Sequence, residues 1–159
     1  MKLALLASVA ALSLFLAAPV TMAAAPSRDE YRAQVEPICK ANTKANERIF
    51  AGVRKQVKEG KLKAAAGQFA KAARALKTAL NEIRSVPQPT ADQARLSRWL
   101  GYVKAEVELF ERVARKLKSG DKVGAQTLVV RLTHTANLAN NQVLVFEFRY
   151  CRLDPSKFT

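Results

Sequence analysis

The run of residues 61–85, KLKAAAGQFAKAARALKTALNEIRS, decides how the whole chain is read. Leu62, Ala66, Phe69, Ala73, Leu76, Leu80 and Ile83 recur in alternating steps of four and three across three heptads. That is the period of one apolar helix face, and no strand produces it. Lys61, Lys63, Lys71, Arg74, Lys77 and Arg84 fill the remaining surface, with Glu82 the only acid among them. The stretch therefore reads as an amphipathic helix with a core side and a strongly basic outer side.

Moving toward the N-terminus, Ser27-Arg28-Asp29-Glu30 has the form of a capping box. Behind it Tyr31, Val35, Ile38, Ala45, Ile49, Val53 and Val57 keep a helical spacing as far as Gly60, a residue suited to a left-handed cap. Pro37 falls inside this run and predicts a break or kink near residue 36. On the other side, Ser85-Val86-Pro87-Gln88-Pro89 is a linker, and Thr90-Ala91-Asp92-Gln93 resembles a second capping box. The next stripe is Leu96, Trp99, Leu100, Val103, Val107, Phe110, Ala114 and Leu117, closed by Gly120. Asp121 caps a last helix with Ala125, Leu128, Leu132, Ala136, Ala139, Val143 and Phe146 on one face. That helix is expected to reach about Phe146, with an extended stretch following through Phe148, Tyr150 and Cys151. The expected fold is all-α, an antiparallel up-down-up-down four-helix bundle spanning residues 27–151. It divides into hairpins 27–85 and 90–151, with a flexible tail at 152–159. The turns Val57-Lys58-Glu59-Gly60 and Leu117-Lys118-Ser119-Gly120 stand 60 residues apart, as do Phe50 with Phe110 and Val53 with Val113. Two similar hairpins explain this, and so does the shared periodicity of any two amphipathic helices.

Residues 1–23 follow different rules. Lys2 precedes an apolar run over residues 3–18, then Pro19 and small residues, the layout of a secretory signal peptide. Cleavage is expected after Ala23, with Ala25 the other candidate. An uncleaved anchor is the competing reading, because the run is almost long enough to cross a bilayer. The chain is expected to be secreted or held in the cell envelope. In an oxidising compartment its two cysteines, Cys39 and Cys151, are expected to pair across a loop of roughly 110 residues. Two free buried thiols are the alternative.

Catalysis has little to work with. His134 is the only histidine, it lies beside the main stripe of its helix, and it has no partner from which to build a metal site or a triad. Both methionines lie in the leader, and no C-x-x-C-H run attaches haem. Carboxylates pair at Glu106-Glu108 and Glu111, but helical spacing puts Glu108 and Glu111 on an outer face among Arg112 and Arg115, where they read as solvated ion-pair residues, not as an acid–base pair. No catalytic residue, metal or cofactor is expected.

The 159-residue chain carries 27 Lys+Arg against 13 Asp+Glu. Losing Lys2 with the leader leaves 26 against 13, a formal +13. Such a surface attracts polyanions: anionic lipid headgroups, wall polymers or extracellular nucleic acid, although no nucleic-acid-reading motif is present. The leading expectation is thus a non-catalytic exported bundle that binds anionic envelope components through Lys61, Lys63, Lys71, Arg74, Lys77 and Arg84. The alternative is a module that binds a small molecule or a partner helix between helices lined by Trp99, Phe110 and Phe146.

Tyr31, Ile38-Cys39-Lys40, the Pro-rich hinge before Leu96-Ser97-Arg98-Trp99-Leu100, and Phe146-x-Phe148-x-x-Cys151 together resemble small exported helical proteins of actinobacteria, a group of unknown function. The likeness spans most of the mature chain and implies a disulfide-tied helical bundle; it implies no activity. Many of those proteins carry Gly between the two aromatics, where this chain has Glu147.

Overall fold

A computed structural model describes residues 24–154. The expected leader and residues 155–159 of the tail lie outside the described residues. Within them the chain is all-helical and has no strand. Four long helices, α1 (Arg28–Ile49), α3 (Leu62–Ser85), α4 (Gln93–Lys118) and α5 (Lys122–Gln142), are accompanied by a short α2 (Val53–Lys58). Single 3-10 turns occupy Thr90–Asp92 and Leu144–Phe146.

The Ser27 capping box forms as the sequence suggests. Ser27 Oγ accepts from the Glu30 amide at 3.2 Å, and Glu30 Oε2 accepts from the Ser27 amide at 2.7 Å. The helix it starts runs unbroken through Pro37, so of the expected break or kink the break is absent. Proline's missing amide deprives the Ala33 carbonyl of its helical partner, and Ala33 is exposed, so water can satisfy that oxygen. The interruption comes instead at residues 50–52, where Gly52 takes φ 77°. Glycine tolerates that left-handed turn, and the turn delivers both Phe50 and Val53 into the core.

The second expected capping box does not form. Thr90–Asp92 coil as a 3-10 turn, and α4 begins without a side-chain cap. Asp92, only 4% exposed, instead receives Arg28 Nε at 2.7 Å and Arg28 Nη2 at 2.9 Å. A bidentate guanidinium is a stronger partner for a buried carboxylate than one backbone amide. The Arg28 hydrogen bonds hold the Asp92 carboxyl below its usual range, and they fasten the start of α1 to the start of α4.

The two similar turns are close copies. At the first, the amides of Glu59, Gly60, Lys61 and Leu62 bond to the carbonyls of Lys55, Val57, Gln56 and Gly60. At the second, those of Ser119, Gly120, Asp121 and Lys122 bond to Arg115, Leu117, Lys116 and Gly120, each partner displaced by 60 residues. Gly60 and Gly120 have φ 74° and 83°. Phe50 and Phe110 lie 5.8 Å apart by ring centroids, and both touch Phe69. The likeness stops at the preceding arms, since α4 is continuous where α1 gives way to α2.

α3 packs along α4, α4 along α5, and α1 along α3, while α1 and α5 share no extended interface. The chain after α5 takes the place such an interface would occupy. α5 ends at Gln142, four residues short of the expected Phe146, and the 3-10 turn Leu144–Phe146 follows. Glu147 then sits at φ 52°, a left-handed conformation that favours Gly. The reversal buries Val143, Phe146 and Phe148 and leaves Leu144 and Val145 exposed. The chain returns across the bundle to α1, and Cys151 bonds Cys39 with the Cα atoms 4.9 Å apart. The tail expected to start at Arg152 is held at Leu153, whose amide and carbonyl both pair with the Asn140 side chain, at 3.1 and 2.9 Å.

Candidate functional site

Two features offer chemistry. The first is the outer side of α3. All six predicted basic residues are exposed there. Lys61 is ion-paired with Glu59 at 2.8 Å and stands apart at the helix start. Lys63, Lys71, Arg74, Lys77 and Arg84 have no ion-pair partner among the described residues; Lys63, Lys71 and Arg74 point away from the buried stripe, and Lys77 and Arg84 flank it. At 1.5 Å per residue they span about 30 Å of surface. The exposed residues between them are Ala64 and Gly67 near the helix start and Thr78, Asn81 and Glu82 farther along.

The second feature lies in the bundle interior, where the alternative reading places a site, but its lining differs from the one expected. A cavity of about 260 Å³ lies between α1, α3, α4 and the returning C-terminal segment. Phe50, Leu76, Ile83 and Val103 line it, together with the Cys39–Cys151 bond. Three buried polar side chains also line it, and each has an atom without a hydrogen-bond partner: Trp99 Nε1, Asn46 Oδ1 and Glu106 Oε1. Their residues are 1%, 6% and 2% exposed. Asn46 uses its amide nitrogen, which donates to Asn42 Oδ1 at 3.4 Å, and leaves its oxygen free. Burial pushes the Glu106 carboxyl up to about 8, so it is largely neutral at pH 7.

Glu106 differs from the two carboxylates that follow it in the sequence. Glu108 and Glu111 are indeed exposed, facing Lys104 at 3.8 Å and Arg115 at 4.0 Å. Glu106 lies three residues after Val103 and four before Phe110, on the buried stripe itself. Its spacing was the available signal. Of the three aromatics expected to line an interior site, only Trp99 borders the cavity. Phe110 packs into the Phe50–Phe69 cluster, and Phe146 stacks on Phe148 and meets the edge of Tyr31.

The outer wall of the cavity is the C-terminal segment, held in place at several points. Glu36 Oε1 accepts from the amides of Arg149 and Tyr150 at 2.6 and 3.1 Å. Thr43 Oγ1 donates to the Tyr150 carbonyl at 3.2 Å, and Lys40 Nζ lies 5.4 Å from the centre of the Tyr150 ring. The disulfide follows directly. These ties join residues more than 100 positions apart.

His134 is exposed beside a shallow depression shared with Glu108 and Arg112. Among the described residues no group of three or more His, Cys, Asp or Glu could hold a metal ion, and no helix is long and apolar enough to cross a membrane. The bonded cysteine pair is compatible with an extracytoplasmic location. No family model, curated protein or solved structure matches this chain.

Proposed function

We propose that this protein is an exported, non-catalytic up-down-up-down bundle that binds anionic components of the cell envelope through the outer side of α3. The observation that carries the reading is the set of five exposed cations without ion-pair partners, Lys63, Lys71, Arg74, Lys77 and Arg84, along one helix. Arg and Lys that are not neutralised within the protein remain available to phosphate or carboxylate groups outside it. The leader-like layout of residues 1–23 supports export, as does the resemblance to exported actinobacterial proteins. Attraction to an anionic surface contributes about 1 kcal/mol per basic residue and weakens as salt shortens the screening length.

Co-sedimentation with envelope fractions and with phosphatidylglycerol vesicles tests this. Binding is expected at about 0.1 M salt and lost near 1 M, where the screening length falls to about 3 Å. The triple variant Lys71→Gln, Arg74→Gln, Lys77→Gln should bind about a hundredfold more weakly at low salt, at about 1 kcal/mol per charge. Equal binding by the variant, or binding that survives high salt, refutes the reading.

A further inference from the structure

The cavity beside the disulfide has a polar inventory that an ordinary core avoids. Buried polar groups are nearly always paired, and each one left alone is costly. Here three unpaired atoms, Trp99 Nε1, Asn46 Oδ1 and Glu106 Oε1, sit on side chains that are all more than nine-tenths buried and border one space. The remainder of the wall is largely apolar. Apolar walls with a few convergent polar groups are the usual make-up of a small-molecule site.

The chemistry of the three atoms restricts the ligand. Indole nitrogen can only donate, so Trp99 requires an acceptor. The amide oxygen of Asn46 can only accept, so it requires a donor. The one cationic side chain of the lining, Arg152, is exposed at the rim with Glu47 and Asp154, and the buried Glu106 carboxyl in its neutral form keeps one accepting oxygen beside its O–H. One acceptor and two donors on a compact head group satisfy all three, and a primary carboxamide carries that set. Size agrees with this assignment. An apolar cavity of about 150 Å³ accommodates benzene; about 260 Å³ leaves space for a ring together with an amide.

We propose that the cavity binds a small neutral carboxamide with a single-ring apolar body, its carbonyl accepting from Trp99 Nε1–H and its amide hydrogens donating to Asn46 Oδ1 and Glu106 Oε1. A carboxylate in the same position can accept from Trp99 and from the Glu106 O–H, but it offers no donor to Asn46 and brings a charge into a largely apolar space. A plain hydrocarbon fills the space and leaves all three atoms unpaired. The site is separate from the α3 face, so neither reading depends on the other.

Trp99 is the only tryptophan in the chain, which makes it a built-in reporter. The disulfide-bonded protein is titrated with benzamide, benzoate and toluene while its single indole N–H resonance and its fluorescence are followed. Benzamide is expected to saturate with a downfield indole N–H shift, and benzoate and toluene to bind at least tenfold more weakly. Asn46→Leu and Glu106→Leu should each weaken benzamide about tenfold. Glu106→Leu removes an unpaired buried polar group, so it is expected to fold at least as well as the parent, a point checked by its helical circular dichroism. Saturation by benzoate or toluene at benzamide concentrations overturns the proposal. So does the absence of any indole response, or unchanged benzamide affinity in Glu106→Leu.

Discussion

Replacing Glu106 with Gln should stabilise this protein by an amount that grows with pH. Glu106 is almost wholly buried, and burial carries its carboxyl from 4.5 to about 8. In the unfolded chain the group ionises near 4.5; in the folded protein it holds its proton until about pH 8. Folding between these values therefore requires proton uptake, and the cost rises with pH. Because the folded value is the higher one, stability is fully present below pH 4.5 and declines as pH climbs toward 8. Each unit corresponds to about 1.4 kcal/mol, so the deficit is roughly 3 kcal/mol at pH 7 and levels off near 5 kcal/mol above pH 8. Gln has nearly the same shape and bears no proton to take up. The difference between Glu106→Gln and the parent should thus be close to zero at pH 4.5 and roughly 3 kcal/mol at pH 7, other titrations cancelling between the two proteins. Urea denaturation at pH 4.5, 6, 7 and 8, with the disulfide intact and Trp99 fluorescence as the signal, measures that difference. A constant difference across this range refutes the argument, because it would mean that Glu106 ionises alike in both states.

The Cys39–Cys151 bond spans 112 positions, and in the chain-entropy account a loop of this size contributes about 5 kcal/mol. The double variant Cys39→Ala, Cys151→Ala should lower the melting temperature by well over 10 °C and red-shift Trp99 emission as the C-terminal wall detaches; a change of only a few degrees by calorimetry contradicts this. Glu147 occupies a left-handed conformation that costs a residue with a Cβ about 1–2 kcal/mol, and its contact with Arg32 is long and exposed at 3.6 Å. Glu147→Gly should therefore stabilise the protein by about 0.5–1 kcal/mol in the same urea assay, after the entropy of unfolded glycine is subtracted. A loss of stability would show that the Arg32 contact outweighs the backbone strain.

The parts of this molecule governed by local period were legible in the sequence. The stripe of α3, its basic outer side, the cap at Ser27 and the turns at Gly60 and Gly120 each depend on residues within about one heptad of one another. Where two rules compete locally, the reading failed in an understandable way. Pro37 lacks one amide, but an exposed carbonyl loses little, so α1 passes through it. Asp92 is placed to cap α4, yet Arg28, 64 positions away, offers a stronger bond. An interior site beside Trp99 is among the sequence's expectations, but the place and polar lining of the cavity are beyond its reach for a different reason. Its outer wall depends on Glu36 meeting Tyr150 and Asn140 meeting Leu153, and such pairings follow no period. Glu106 is the instructive exception, since its position between Val103 and Phe110 marked it as buried while its charge suggested otherwise.

Natural sequences tend to agree with their folds at every level, and departures collect where something other than stability is being served. Glu106 is such a departure: Leu at that position would suit the stripe of α4 and avoid the proton uptake that folding demands. The unpaired atoms of Asn46 and Trp99 border the same space, so three costly choices converge there, while the other unpaired buried oxygens, on Tyr31, Gln56 and Gln68, lie apart from it. Packing alone accounts for none of them, because a fourth apolar residue beside Val103, Leu76 and Ile83 would fill the volume at lower cost. A ligand that pairs all three atoms offsets that cost when it binds, and free energy of this kind appears as a rise in stability with ligand concentration. The basic face of α3 has no equivalent conflict. Its cations are solvated and impose little strain, so that surface can acquire or lose partners without altering the fold, whereas the cavity ties recognition to the stability of the whole bundle.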